Sequence, residues 1–81
     1  MSDALRDRLR WRCRRGMKEL DLLLARWIEE GWPGAGEERR LAFAWLLEQP
    51  DPDIAGWLLG GGRPAGEARA ALIDDILRRR Y

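Results

Sequence analysis

Apolar residues recur every three or four positions along most of the chain, and glycine or proline interrupts this pattern repeatedly. The spacing puts apolar side chains on one face of an α-helix. Glycine and proline disfavour continuation of a helix, so the interruptions predict helix ends. No stretch alternates apolar and polar residues as a half-buried strand would. The pattern therefore predicts an all-α fold, a compact bundle of five short helices.

The first three helices are bounded by clear start and stop signals. Ser2 or Asp3 can cap the first helix, and Gly16 is expected to break it. The second helix is expected to end in the glycine- and proline-rich segment 31–36. The third spans about 37–48 and is apolar nearly all round, which predicts that it is the central, most buried element.

The last two helices carry equally specific signals. Asp51 is expected to cap the fourth helix, with Pro52 at its first helical position, where the fixed φ of proline suits a helix. The glycines at 60–62 are expected to stop that helix. The fifth helix is expected over about 66–79, with its apolar face turned inward.

Five tryptophans in 81 residues is a high number, and their positions separate them into two groups. Trp27, Trp45 and Trp57 fall on apolar helix faces and are expected in the core. Trp11 lies off the apolar stripe of its helix, and Trp32 lies in a loop. Because an exposed indole is an effective anchor for a partner, we expect Trp11 and Trp32 to be candidates for a contact surface.

The length and the residue types argue against an enzyme. A chain of 81 residues is expected to form a single domain, 1–81, with little room for a buried cleft. Histidine is absent, which removes the commonest general acid–base and the commonest metal ligand. Cys13 is the only cysteine and lies on the apolar stripe, so it is expected to be a small buried hydrophobe.

The same composition bears on location. A small chain without paired cysteines suits a reducing compartment. No run approaches the ~18 consecutive apolar residues of a membrane helix, and the N-terminus lacks the apolar core of a signal peptide. We therefore expect a cytoplasmic protein without membrane insertion.

Charge is unevenly distributed, although the formal net charge is only +1. Residues 1–19 are basic, 21–75 are acidic, and three arginines follow at 78–80. Such asymmetry favours oriented docking onto a partner. The basic first helix could instead bind nucleic acid, or it could simply be a solvated face.

Arg15, Gly16 and Glu19 form the group with the strongest functional signal. A glycine inside a helical pattern costs about 1 kcal/mol relative to alanine, so it needs a reason. A turn between two helices is one reason, and close approach of a partner's backbone is the other. A local Arg15–Glu19 pair, worth a few tenths of a kcal/mol, is the purely structural interpretation.

Two blocks of the sequence resemble the SdhE family, the bacterial relatives of mitochondrial succinate dehydrogenase assembly factor 2. The first block, at 11–21, reads Trp-Arg-Cys-Arg-Arg-Gly-Met-Lys-Glu-Leu-Asp and contains the family's Arg-Gly-x-x-Glu motif. The second block combines Asp-Pro-Asp at 51–53, Trp-Leu at 57–58 and Gly-Arg-Pro-Ala at 62–65. The resemblance covers nearly the whole chain and implies a five-helix fold.

The resemblance also implies a function. Members of this family are not enzymes; they assist covalent attachment of FAD to the flavoprotein subunit of succinate dehydrogenase and, in some bacteria, of fumarate reductase. FAD belongs to the partner, whose own histidine reacts with the flavin, so no cofactor is expected on this chain, although the resemblance leaves open a direct contact with FAD. No metal is expected either, since the chain lacks histidine and has a single cysteine. The absence of histidine here is consistent with that division of labour.

Carried over by position, the motif implies a docking site for the flavoprotein. Gly16 would let the partner's backbone come close, and any side chain there should obstruct docking. Arg15 and Glu19 would orient the partner through charge-assisted hydrogen bonds. The implied surface is extended by Trp11, Arg14 and Asp21.

Two other functions compete with this one. The basic first helix could bind nucleic acid, which would give a steeply salt-dependent affinity. The chain could also be antitoxin-like and bind a toxin partner, which a pulldown would separate from flavoprotein binding. We expect a monomer that binds no nucleic acid, although an exposed Trp11 and Trp32 could support a weak self-contact.

Overall fold

The computed structural model describes residues 3–79, so Ser2 and Arg80 lie outside the described residues. Within that range the chain forms α1 (Ala4–Arg12), α2 (Lys18–Glu30), α3 (Glu37–Leu47), α4 (Asp51–Leu58) and α5 (Glu67–Arg78). No residue of 3–79 lies in a strand. The predicted five-helix, all-α fold is confirmed, and the third and fifth helices begin and end within one residue of the expected positions.

The core is built from one face of each helix, and α5 packs mainly against α3 and α2. Buried apolar residues recur at helical spacing along α2 in particular: Leu20, Leu23, Leu24, Trp27 and Ile28. The expectation that α3 is the most buried helix is wrong. It buries four residues, against five for α2, and Leu41 remains 58% exposed. Leu41 is two residues from the buried Phe43, which places it on the opposite face of the helix.

Three aromatic rings form the centre of the core, and two carboxylates satisfy their indole N–H groups. Trp27 stacks on Phe43 with centroids 4.5 Å apart and meets Trp32 edge-on at 6.2 Å. Trp27 Nε1 donates to Asp75 Oδ2 at 2.7 Å, and Trp32 Nε1 donates to Asp3 Oδ2 at 2.6 Å. We call these five residues the tryptophan core. Both of its indole donors are paired, as buried polar groups require.

Asp75 is a buried charge that several cations stabilise. Its carboxylate accepts a hydrogen bond from Arg79 Nε at 3.2 Å and another from Arg78. Burial alone would raise the pKa of Asp75, but the hydrogen bonds from Trp27, Arg78 and Arg79 outweigh it and hold the pKa below its ordinary value. The carboxylate is therefore a charged link between α2 and α5.

Asp3, at the start of the chain, also accepts a hydrogen bond from a core indole but has a second role as a helix cap. Its Oδ1 accepts the backbone N–H of Arg6 at 3.0 Å, which caps α1 as expected. This backbone hydrogen bond, together with that from the Trp32 indole, lowers the pKa of Asp3. One carboxylate thus caps a helix and orients a core tryptophan.

The expected cap of α4 is wrong. Pro50 occupies the N-cap position, Asp51 is the first helical residue, and no side chain caps the helix. The Asp51 carboxylate turns instead toward Arg15, whose Nε donates to Asp51 Oδ1 at 2.8 Å. The Asp51 carboxylate therefore accepts a hydrogen bond from an arginine side chain, and not from a backbone N–H group of α4 as an N-cap would.

Trp45 and Trp57, expected in the core, are only half-buried. Their rings stack on each other with centroids 5.4 Å apart, and the guanidinium of Arg69 lies 3.9 Å from the Trp45 centroid. The three side chains join α3, α4 and α5 at the edge of the core, where an arginine over an indole gives a favourable cation–π contact.

Candidate partner-docking surface

Gly16 lies in the short connection between α1 and α2 and has a backbone conformation that suits glycine. Its φ is +82°, a left-handed conformation that other residues adopt only at a cost. A Cβ added at Gly16 would meet nothing within 4 Å. The left-handed backbone therefore explains why a glycine occupies this position. The space into which a side chain at position 16 would project is open. We call residues 13–19 the motif turn.

Arg15 precedes Gly16 and points its side chain into the protein. Its Nε donates to Asp51, and its Nη1 donates to the carbonyl oxygens of Leu47 at 2.8 Å and Arg12 at 3.2 Å. Its Nη2 donates to Gln49 O at 2.9 Å. Four of the five N–H donors of this guanidinium are thus used within the chain, and its side chain is only 16% exposed. No Arg15–Glu19 ion pair forms within residues 3–79.

Asp21 supports the same turn from the other side. Its Oδ1 accepts the backbone N–H of Arg15 at 2.8 Å. Because Asp21 lies in the first turns of α2, this bond ties the residue before Gly16 to the helix that follows it. Two of the six candidate residues, Arg15 and Asp21, therefore hold the motif turn in shape.

The other four candidates face outward. Glu19 lies in the first turn of α2 and is exposed, and its carboxylate makes no hydrogen bond or ion pair within residues 3–79. Trp11 is 71% exposed, and the Arg14 guanidinium lies 5.1 Å from its ring centroid. Gly16 is also exposed. Segment 11–19 thus exposes a glycine with open space, a carboxylate without a partner in the described residues and a cation-covered indole, which are kinds of groups that protein interfaces use.

The two tryptophans expected at a contact surface have different environments. Trp11 is exposed, whereas Trp32 is only 2% exposed, so the surface expectation for Trp32 is wrong. Trp32 folds back against Trp27, and Arg40 covers its ring at 4.8 Å. A large apolar residue just after a helix end commonly packs on the last turn, and this signal could have identified Trp32 as buried.

The basic face of α1 is partly neutralised within the chain. Arg6 and Arg10 both pair with Glu29 of α2, at 3.1 and 2.7 Å. Arg8 and Arg12 are exposed and make no ion pair within the described part of the chain. They flank a groove of about 500 Å³ between α1 and α3, which Trp11 also lines. The cations that remain unpaired therefore lie beside the exposed indole.

Cys13 is unsuited to nucleophilic chemistry. Its side chain is buried, and its Sγ donates to the carbonyl oxygen of Leu9 at 3.3 Å. Burial raises the pKa of the Cys13 thiol to about 12, so almost no thiolate forms near neutral pH. The expectation of a small buried hydrophobe is confirmed.

Residues 3–79 contain no group of three or more His, Cys, Asp or Glu residues placed to hold a metal ion. None of the five helices has both the length and the apolar character needed to cross a membrane.

Comparison with known proteins identifies the family. A family model described as "Flavinator of succinate dehydrogenase" matches residues 7–80. The chain belongs to this flavinator family. Among its relatives, the FAD assembly factor SdhE of Coxiella burnetii is 47% identical over 69 residues, which cover 85% of this chain and 84% of that protein.

Other members of the flavinator family give the same result. The FAD assembly factor SdhE of Photobacterium profundum is 39% identical over 77 residues, covering 95% of this chain and 88% of the relative. That of Vibrio parahaemolyticus is 40% identical over 70 residues, covering 86% and 81%. The family resemblance inferred from the two sequence blocks is confirmed.

One residue that contacts the motif turn was not identified from sequence. Asp51 contacts Arg15 across 36 positions of the chain. Local helix-start chemistry predicted a different role for it, and nothing in the spacing of the motif indicates so distant a partner. The second block of the family resemblance, which includes Asp51, was the only available signal.

Proposed function

We propose that this chain is an assembly factor that docks on the flavoprotein subunit of succinate dehydrogenase and promotes covalent attachment of FAD to that subunit. The observation that carries the proposal is the match to the flavinator family over residues 7–80. The flavoprotein subunit of fumarate reductase is a second partner of the same kind. We further propose that the chain acts in the cytoplasm, as a single domain and a monomer.

The geometry of the motif turn supports docking. The open side of Gly16 lets a partner's main chain or a flat side chain reach contact distance without displacing any atom of this chain. The Glu19 carboxylate can accept charge-assisted hydrogen bonds from a partner arginine or from backbone N–H groups. Trp11 adds an exposed apolar side chain of the kind that often anchors an interface.

The proposed role is that of a chaperone and not a catalyst. The chain has no histidine, and its only thiol is buried with a raised pKa. The nucleophile and the flavin therefore belong to the partner. This chain contributes by holding the partner in the arrangement in which its own groups react, which lowers the entropic part of the barrier.

Co-expression with the apo-flavoprotein tests the proposal. The chain is produced as wild type, as Gly16→Arg and as Gly61→Arg, and covalent flavin fluorescence is read on a denaturing gel. Gly61 is a matched control: it is exposed, it has the same φ of +82°, and an added Cβ would also meet nothing within 4 Å. Both variants should lose about 1–2 kcal/mol of stability from the backbone strain.

We expect a bright flavin band with wild type and with Gly61→Arg. The band with Gly16→Arg should fall to the level seen without this chain. Equal bands in every lane, including the one without this chain, would remove the assembly role for this flavoprotein. Equal loss in both variants would attribute the effect to folding and remove Gly16 from the docking surface.

A further inference from the structure

The side chain of Arg15 connects the motif turn to a part of the chain far away in sequence. Its guanidinium bridges the end of α3 and the start of α4, while its backbone is adjacent to Gly16. We propose that Asp51 is a positioning residue that acts through Arg15 to hold the motif turn in the shape that binds the flavoprotein. This inference rests on the proposed docking function and assigns Asp51 no contact with the partner.

The motif turn is anchored at three points around Arg15. The backbone N–H of Arg15 donates to Asp21 in α2, the Nη atoms donate to main-chain oxygens at 47 and 49, and the Nε donates to Asp51 in α4. The last carbonyl groups of a helix have no partner within that helix, so a cation at the end of α3 satisfies them. Arg15 therefore fixes where Gly16 lies relative to α2, α3 and α4.

Asp51 is the part of this anchor that a substitution can remove selectively. It is the one charged group that pairs with Arg15 in residues 3–79, since the other acceptors of the guanidinium are main-chain oxygens. Arg15 is only 16% exposed, so removal of its counter-charge leaves a largely buried cation with weaker partners. Asp51 is 40% exposed, which moderates the effect through solvent screening.

Loss of the Arg15–Asp51 contact should weaken binding because fewer molecules then hold the motif turn in the conformation that binds the flavoprotein. When only a fraction of the molecules holds the binding-competent conformation, the apparent Kd rises by the inverse of that fraction. A turn that is correctly held one-tenth of the time therefore binds about tenfold more weakly. The contacts of Glu19, Trp11 and Gly16 with the partner stay the same in the competent fraction.

The test compares Asp51→Asn with Asp53→Asn in the full chain. Asp53 lies in the same first turn of α4, is exposed, and makes no ion pair within the described residues. Both substitutions therefore remove one charge from the same helix start. Three quantities are measured: the Kd for the apo-flavoprotein, the hydrogen exchange of the Arg15 amide, and the urea midpoint of unfolding.

The Arg15 amide reports the turn itself, because it is hydrogen-bonded to Asp21 and not to Asp51. With Asp51→Asn we expect Kd to rise about tenfold, Arg15 exchange to accelerate by at least about that factor, and exchange in the α2 core to stay unchanged. Asp51→Glu, which restores the charge, should recover most of the affinity. Asp53→Asn should leave all three quantities at the wild-type level.

Several results would overturn the inference. Weaker binding with unchanged Arg15 exchange would mean that Asp51 contacts the partner directly. Faster Arg15 exchange with unchanged Kd would mean that docking does not need a held turn. A general loss of protection in every helix would make Asp51 an ordinary stabilising residue. Among the results of this experiment, only failure of the wild-type chain to bind the apo-flavoprotein would also contradict the proposed function.

Discussion

The tryptophan core and the motif turn differ in how they treat polar groups and empty space. In the core, both indole donors are paired with carboxylates, and a Cβ added at Gly31 would reach Cδ1 of Trp27 at 2.6 Å. At the motif turn, Glu19 has no partner within residues 3–79, and a Cβ added at Gly16 would meet nothing. A region whose polar groups are hydrogen-bonded within the chain and whose space is filled contributes to stability. A region with a free carboxylate and open space is better suited to contact with a partner.

The largest expected difference lies between two tryptophans. Trp32→Ala should lower the free energy of unfolding by about 3–5 kcal/mol, because it removes a buried ring from the core. Trp11→Ala should change stability by less than about 0.5 kcal/mol, since the ring is 71% exposed. Trp11→Ala should instead weaken flavoprotein binding about tenfold or more. Urea unfolding and a binding titration measure the two effects, and similar stability losses in both variants would contradict the assignment.

The two glycines should respond differently to the type of side chain. Gly31→Ala should cost about 1–3 kcal/mol by overpacking against Trp27, and Gly31→Asn should cost more because asparagine is larger. Gly16→Ala should cost about 1–2 kcal/mol through its positive φ. Gly16→Asn should cost less, because asparagine tolerates the left-handed region. Denaturant unfolding of the four variants decides the matter, and the reverse order at Gly16 would show that space and not backbone angle governs that site.

The buried carboxylate of the tryptophan core should make stability depend on acidity. The pKa of Asp75 is lower in the folded protein than its ordinary value of 3.8, so its contribution is present above that pH and is lost as the pH falls below it. Asp75→Asn should lower stability at pH 7 by about 1–2 kcal/mol and flatten the loss of stability below pH 4.

Asp74→Asn is the matched control for this acid effect. The Asp74 carboxylate is 58% exposed and pairs at the surface with Arg63, so the variant should keep the wild-type slope. Urea midpoints between pH 2 and pH 7 measure both variants. If Asp74→Asn and not Asp75→Asn reduced the loss of stability at low pH, Asp74 would be the residue responsible for the acid effect.

The smallest effect is expected at Cys13, the buried residue at the start of the motif turn. Burial raises the pKa of its thiol from 9.0 to about 12, which lowers the thiolate fraction near pH 8 about a thousandfold. Iodoacetamide should therefore leave the folded chain unlabelled and label it rapidly in urea. Rapid labelling of the folded protein would mean that the motif turn opens far more often than its hydrogen bonds suggest.

Much of the fold follows from local signals. The α2 stripe at 20, 23, 24, 27 and 28 and the stops at Gly31 and at 60–62 need only helical periodicity and the preferences of glycine. The burial of Trp32 has one local signal, its place just after the end of α2, but its contacts with Asp3 and Arg40 arise only in the tertiary structure. The half-burial of Trp45 likewise depends on Trp57 and Arg69, which belong to other helices.

The sequence predicted which residues belong to the candidate site, but it did not predict which of them stabilise the turn and which are exposed. The motif and the family resemblance identified residues 11–21, which in the structure form the end of α1, the connection after it and the start of α2. They did not indicate that Arg15 faces inward while Glu19 faces outward. That distinction depends on Asp51 and on the carbonyl groups at the end of α3, which only the tertiary structure brings to the motif.

The separation of Arg15 and Asp51 along the chain has a consequence for synthesis. Arg15 is added to the growing chain before Asp51, and the 36 positions between them correspond to about 2–7 s at ordinary rates of translation. During that time the nascent segment carries Gly16 and Glu19, but not the groups that fix their arrangement. If Asp51 positions the motif turn as proposed, a flavoprotein that meets the chain before Asp51 has emerged encounters the right residues in an unfixed geometry. It should then bind the nascent chain more weakly than the folded one, in which Arg15 reaches the α3–α4 junction.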